Sequence, residues 1–122
     1  MNITIKATNH PLTDELRVLI ATKFAALDKF VRDGQPALLE CEVQESLEAV
    51  RSGHGPYRVE GNLTINGKLF RAEAEGEALE GAIDRVRDEL SREVRTAHGK
   101  ARDLVRRGGA AVKGWLRFGR RT

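Results

Sequence analysis

Apolar and polar residues alternate over positions 2–7, with Ile3, Ile5 and Ala7 set against Asn2, Thr4 and Lys6. This two-residue period is that of a half-buried strand. Past Pro11 the period lengthens: Leu16, Leu19, Ile20, Phe24, Leu27, Phe30 and Val31 recur mostly three or four residues apart. That spacing predicts a helix with one stripe to bury. Thr13 is placed to cap it, Asp14 and Glu15 suit its positive end, and Gly34 and Pro36 close it. Alternation returns with Leu39, Cys41 and Val43 against Glu40, Glu42 and Gln44. Cys41 then points inward as a small buried hydrophobe, with no basic neighbour in sequence to lower its pKa.

Residues 45–56, with Gly53, Gly55 and Pro56, read as a loop that leaves His54 in solvent. Asn66-Gly67 then sits between two alternating runs, the signal of a two-residue type I′ hairpin in which both turn positions take positive φ. Placing Ile65 opposite Lys68 pairs Leu63 with Phe70, Gly61 with Ala72 and Val59 with Ala74, so one face is apolar. The other face carries Arg58, Glu60, Asn62, Thr64, Arg71, Glu73 and Glu75 and is expected to meet water or a partner. After Gly76, with Glu77 and Glu80 in the first turn, Leu79, Ala82, Ile83, Val86, Leu90 and Val94 predict a long second helix. Gly99 is a candidate break; Ala101, Leu104 and Val105 resume the helical pattern as far as Gly108-Gly109, and the tail AAVKGWLRFGRRT follows. The order β-α-β-β-β-α predicts an α+β two-layer sandwich: a four-stranded, mostly antiparallel sheet with two helices on one face, plus a basic C-terminal extension. Only the pair joined through the first helix is expected to be parallel, and the first or second strand is expected at an exposed edge.

At 122 residues, 40% hydrophobic and 32% charged, the chain has material for a single core and is not a disordered polypeptide. One cysteine excludes an intrachain disulfide and suits a reducing compartment. The chain opens on MNITIK without the pattern of a signal peptide, and no apolar run approaches the ~20 residues of a membrane helix, so a soluble, cytoplasmic protein is expected. No Cys/His spacing suggests zinc, and no metal or cofactor is expected. Catalysis is disfavoured as well. His10, His54 and His98 lie in separate elements, there is no nucleophile elbow or phosphate-cradling glycine loop, and Asp84 and Asp88 lie one helical turn apart as on any solvated face.

Charge changes the picture. The net charge of +3 conceals a dipole along the chain: nine basic residues from Arg95 onward face only Asp103, whereas residues 1–94 hold twelve basic and seventeen acidic residues. A concentrated basic end on a mildly acidic body is expected to sit on phosphates or another anionic surface. Trp115 and Phe118 among its arginines suit base stacking.

Two stretches carry a family resemblance. Thr13, Leu16, Arg17, Lys23, Phe24 and Leu27 follow the opening strand and helix, and Ala72, Ala74, Gly76, Ala82, Ile83, Asp84, Asp88 and Leu90 follow the later strand end and helix, of the short ribosome hibernation-promoting factors. These are small ribosome-associated inhibitors once described as sigma-54 modulation proteins, and the chain resembles them over about residues 1–98. It departs from their pattern at Ala78, Leu79 and Glu80 before Ala-Ile-Asp, and at Glu89 and Glu93, where the family shows Lys and Gln. No counterpart of the long form's C-terminal dimerisation domain is expected here, so the resemblance does not imply ribosome dimerisation by this chain alone.

The resemblance implies a ribosome-binding domain over 1–98 and a basic helical or extended tail over 99–122. It implies docking in the small-subunit channel between head and body, over the mRNA path and tRNA decoding sites, so that an idle ribosome is silenced by occupation. The partners would be 16S-type rRNA and ribosomal proteins, with no small-molecule substrate. Affinity would come from cations displacing counterions from phosphates. Lys23 and Arg92 match basic positions of the family, and Lys29, Arg32 and Arg71 are neighbouring candidates. In the basic end, Lys100, Arg102, Arg106, Arg107, Lys113, Arg117, Arg120 and Arg121 are candidates for phosphates, with Trp115 or Phe118 stacking on a base. The alternative for Trp115, Leu116 and Phe118 is a hydrophobic patch folded back on the body. Rival functions are a generic structured-RNA-binding module and a membrane-surface or protein-binding tail.

Overall fold

Why the first helix tightens is visible in its spacing. The computed structural model describes residues 1–51, 53 and 55–107, with the backbone alone for Ala49 and 101–107. Strand β1 (Asn2–Thr8) leads into helix α1 (Asp14–Phe24), capped by Thr13, whose Oγ1 accepts a hydrogen bond from the Leu16 amide at 3.1 Å. The helix expected to reach Val31 becomes a 3₁₀ segment at Ala25–Phe30. With three residues per turn, Phe24, Leu27 and Phe30 stack in one line, which keeps the apolar stripe on the core through the change.

Strand β2 (Ala37–Glu45) pairs in parallel with β1, as a crossover through α1 requires. The stretch expected to be a loop contains a one-turn helix, α2 (Leu47–Arg51). Its Leu47 is 78% exposed and Val50 48%, so no buried stripe announces it in the sequence. Strands β3 (Tyr57–Ile65) and β4 (Lys68–Gly76) form the hairpin in the expected register, from Ile65 opposite Lys68 to Val59 opposite Ala74. Asn66 and Gly67 take φ of 49° and 86°, as a type I′ turn demands. The sheet order is β1-β2-β3-β4. The edges are therefore β1 and β4, and β2, expected as a candidate edge, is interior because both β1 and β3 pair with it.

Helix α3 (Leu79–Arg107) runs unbroken through Gly99, antiparallel to β4. At 29 residues it is about 43 Å long, against about 30 Å for a nine-residue strand, so its last turns overhang the hairpin end of the sheet. Between α3, α1 and the sheet lies a core of Leu16, Ile20, Phe24, Leu27, Leu39, Val43, Val59, Leu63, Ile83, Val86, Leu90 and Val94. Complete burial of each large aliphatic or aromatic side chain contributes about 1.5–3 kcal/mol. Gly61 makes the close approach of α3 possible: a β-carbon there would lie 2.8 Å from Val86 Cγ1 and 3.1 Å from Leu90 Cδ1.

Candidate nucleic-acid interface

The topology sorts charge toward the two ends of the sandwich. Both helices run toward the hairpin end, with Asp14 and Glu15 in the first turn of α1, Glu80 in the first turn of α3 and Glu77 just before it. The hairpin end also holds the exit of the 3₁₀ segment and the later turns of α3. There the Asn66 amide donates to the Pro36 carbonyl at 2.9 Å, which ties the segment after Arg32 to the hairpin turn.

Phe30 organises the basic end. Lys29 Nζ lies 5.3 Å from its ring centroid and Arg95 Cζ 5.9 Å, while the His98 ring meets it edge to face at 6.1 Å. Lys68 and Lys100 line a shallow groove with Phe70, Arg92 and Thr96, and Glu89 and Glu93 line it as well. Partial burial, and then the charge of Lys100, hold the Lys68 pKa below its ordinary value. Anion binding would relieve that repulsion.

The candidate contacts are distributed unevenly over this frame. Lys29, Arg32, Arg92 and Lys100 are exposed toward the basic end, although Arg92 also pairs with Glu89 at 3.0 Å along α3. The Arg32 amide donates to Gln35 Oε1 at 3.1 Å and leaves its guanidinium at the surface. Arg102, Arg106 and Arg107 lie on the overhanging turns of α3, described by backbone only. Lys113, Trp115, Arg117, Phe118, Arg120 and Arg121 lie outside the described residues, as does His54.

Lys23 and Arg71 are placed differently. Lys23 Nζ sits 3.0 Å from Asp84 Oδ1 and 3.1 Å from Glu80 Oε1, and these hydrogen bonds, that to Asp84 foremost, raise its pKa. Arg71 lies on the sheet face away from the helices, 3.0 Å from Glu60. Arg95, Lys68 and His98 were not among the candidate contacts. Arg95 opens the basic run of the sequence, and only the long-range meeting of the 3₁₀ segment and the hairpin with α3 places Phe30 beside Arg95 and His98 and Lys68 beside Lys100.

On the open sheet face the register lines up Lys6, Glu42, Glu60 and Glu73 in one row across all four strands. Adjacent carboxylates in such a row repel. Cations offset this: Lys6 reaches Glu42 at 3.4 Å, Arg71 reaches Glu60, and Arg58 binds Glu73 and lies 3.8 Å from Glu60. The hydrogen bond from Arg71, aided by Asn62, holds the Glu60 carboxyl below its ordinary pKa. Cys41 is buried on the other face, and burial pushes its thiol up to about 12, which removes it from nucleophilic chemistry at neutral pH. Among the described residues no group of His, Cys, Asp and Glu could hold a metal ion, and no helix is long and apolar enough to cross a membrane.

Comparison with known proteins agrees with this architecture. The sequence profile described as "Sigma 54 modulation protein / S30EA ribosomal protein" matches residues 3–102. The crystal structure of the Protein Y N-terminal domain from Thermus thermophilus is similar at 28% identity with a TM-score of 0.64, over 77% of this chain and 96% of that one. A ribosomal subunit interface protein from Coxiella burnetii shares the fold at 15% identity with a TM-score of 0.63, over 81% of this chain and 99% of that one. Comparison with curated proteins gives no match.

Proposed function

The chain belongs to the sigma 54 modulation protein / S30EA ribosomal protein family, and from that membership we propose that it is a ribosome hibernation factor. It binds the small ribosomal subunit in the mRNA and tRNA decoding channel and silences and protects idle ribosomes by occupying that channel. No bond is made or broken. The observation that carries the reading is the convergence of cations at one end of the sandwich, where Lys29 and Arg95 flank Phe30 and Lys68 stands beside Lys100. The overhang of α3 carries Arg102, Arg106 and Arg107 onward from that cluster.

Such an end neutralises phosphates and releases their counterions, which gives affinity without base readout. The tail, through Lys113, Arg117, Arg120 and Arg121 on phosphates and Trp115 or Phe118 on a base, adds rRNA contacts. Lys23 and Arg71 contribute through their ion pairs to the fold that presents the basic end. The test is co-sedimentation of the purified protein with small subunits and with whole ribosomes across a salt series. Near-stoichiometric binding that weakens with salt and competes with mRNA or tRNA is expected. Equal binding to naked duplex RNA would replace this reading with a general structured-RNA-binding module.

A further inference from the structure

The helices cover one face of the sheet, and the other face has a composition of its own. The register sets its rows in order from the hairpin end: Asn2, Leu38, Thr64 and Leu69; then Thr4, Glu40, Asn62 and Arg71; then the Lys6, Glu42, Glu60 and Glu73 row; then Thr8, Gln44, Arg58 and Glu75. Leu38 is 36% exposed and Leu69 49%, so the first row opens two leucines to solvent, one on either side of Thr64. The rows behind it hold five carboxylates against three cations, Lys6, Arg58 and Arg71. A ligand for this face would therefore be apolar where it meets the hairpin end and positively charged farther along.

The chain carries such a segment next to that end. Residues 108–122 read GGAAVKGWLRFGRRT: Lys113 precedes an apolar group of Trp115, Leu116 and Phe118 interrupted by Arg117, Arg120 and Arg121 follow it, and there is no acidic residue. The segment starts where α3 overhangs the hairpin end, and Gly108-Gly109 lets the backbone reverse there. From Arg107 to Trp115 the eight intervening steps reach up to about 26 Å, enough to return past an overhang of about 10 Å and to pass from the helix layer around the end of the sheet to the Leu38 and Leu69 row. Successive rows are about 6.7 Å apart, so the arginines that follow fall on the carboxylates.

We propose that segment 108–122 docks on the open face of its own sheet, with Trp115 and Phe118 on Leu38 and Leu69 and its arginines against Glu40, Glu42 and Glu73. Held there, the segment is withheld from other anions, and a phosphate-rich surface must outcompete the carboxylates to take it. That last consequence rests on the proposed rRNA reading; the docking does not.

Trp115 is the chain's only tryptophan and reports its own surroundings by fluorescence. In the free full-length protein the emission should be that of a partly buried indole. It should move to the red in Leu69→Lys and more weakly in Glu40→Lys, both exposed positions at which far-UV circular dichroism confirms the fold, and it should be independent of protein concentration. Solvent-like emission in the unaltered chain, or buried emission that neither variant moves, overturns the proposal. A concentration-dependent shift overturns it too and assigns the face to the tail of a second copy. Because no ribosome is present, failure here leaves the co-sedimentation result standing, and the reverse is equally true.

Discussion

Lys23 Nζ lies 3.0 Å from Asp84 Oδ1, an oxygen that Arg87 also approaches at 3.2 Å, so a single lysine ties the end of α1 to the first turns of α3. A lysine already held by two carboxylates has little positive field to offer a phosphate. Lys23→Met should leave the slope of log affinity against log salt unchanged in ribosome binding, whereas loss of a true phosphate contact lowers the slope by about one. Its effect should appear in thermal melts instead. Because the folded pKa of Lys23 is raised above 10.5, its contribution to stability is fully present below that value and is lost as pH rises through the raised one. The difference in melting temperature between wild type and variant should therefore shrink in strongly alkaline buffer.

Arg95 and Lys100 make the complementary case. Arg95 leans on Phe30, and Lys100 faces Lys68 across the groove, so both present charge outward at the basic end. Arg95→Ala and Lys100→Ala should each lower the salt slope of ribosome binding by about one, and the double variant by about two, with melting temperatures little changed. Unaltered slopes in the folded double variant would remove this end from the interface.

Gly61 is the point where α3 comes closest to the sheet, and the cost of filling it can be read from geometry. An added β-carbon 2.8 Å from Val86 Cγ1 forces the helix outward or Val86 off its rotamer. Overpacking of this kind costs about 1–3 kcal/mol, and Gly61→Val, with two further methyl groups, belongs at the upper end. Denaturant titration should show a lower midpoint with an unchanged slope, since the surface exposed on unfolding is nearly the same.

These examples also mark where the sequence was legible. The hairpin register could be read to the residue, because an Asn-Gly turn admits one backbone geometry and a one-residue slip would turn Phe70 and Leu63 into water. The parallel pairing of β1 with β2 followed from the helix between them. The 3₁₀ segment did not show, since Phe24, Leu27 and Phe30 satisfy a three-residue period and a helical one almost equally. Helix α2 did not show because Leu47 and Val50 bury so little. In the candidate site, the basic character of the C-terminal end was plain from composition. The pairing of Lys23 with residues some sixty positions away, and the gathering of Lys29, Arg95 and His98 around Phe30, exist only once the helices pack.

Cys41 offers a check on the core that needs no variant. It is 2% exposed, on the inward face of β2 opposite Gly61, with its thiol pushed up to about 12 by burial. At neutral pH the thiolate population is negligible and reagents cannot reach the sulfur. An aromatic disulfide reagent should therefore react with native protein only at the rate of opening, and stoichiometrically within minutes in denaturant. Rapid labelling of the native state would mean that β2 is not held between β1 and β3.

Glu60 stands at the centre of the open face, where its carboxylate receives Arg71 at 3.0 Å and Asn62 at 3.3 Å. Both hydrogen bonds favour the charged form, so its folded pKa lies below the ordinary value of 4.5. The sign of the linkage follows: the contribution is present above 4.5, where the unfolded carboxyl is also ionised, and is lost as pH falls through the lowered value. Glu60→Gln removes that titration and leaves Arg71 and Arg58 without their shared anion, although it also relieves repulsion with Glu42 and Glu73 in the same row. The variant should be less stable than wild type at pH 7, and the difference should shrink as pH falls below 4.5 and through the lowered pKa. Urea titrations at pH 7, 5 and 3.5 measure this, and a stability difference that stays constant across the series would show that the Arg71 bond does not favour the ionised carboxylate.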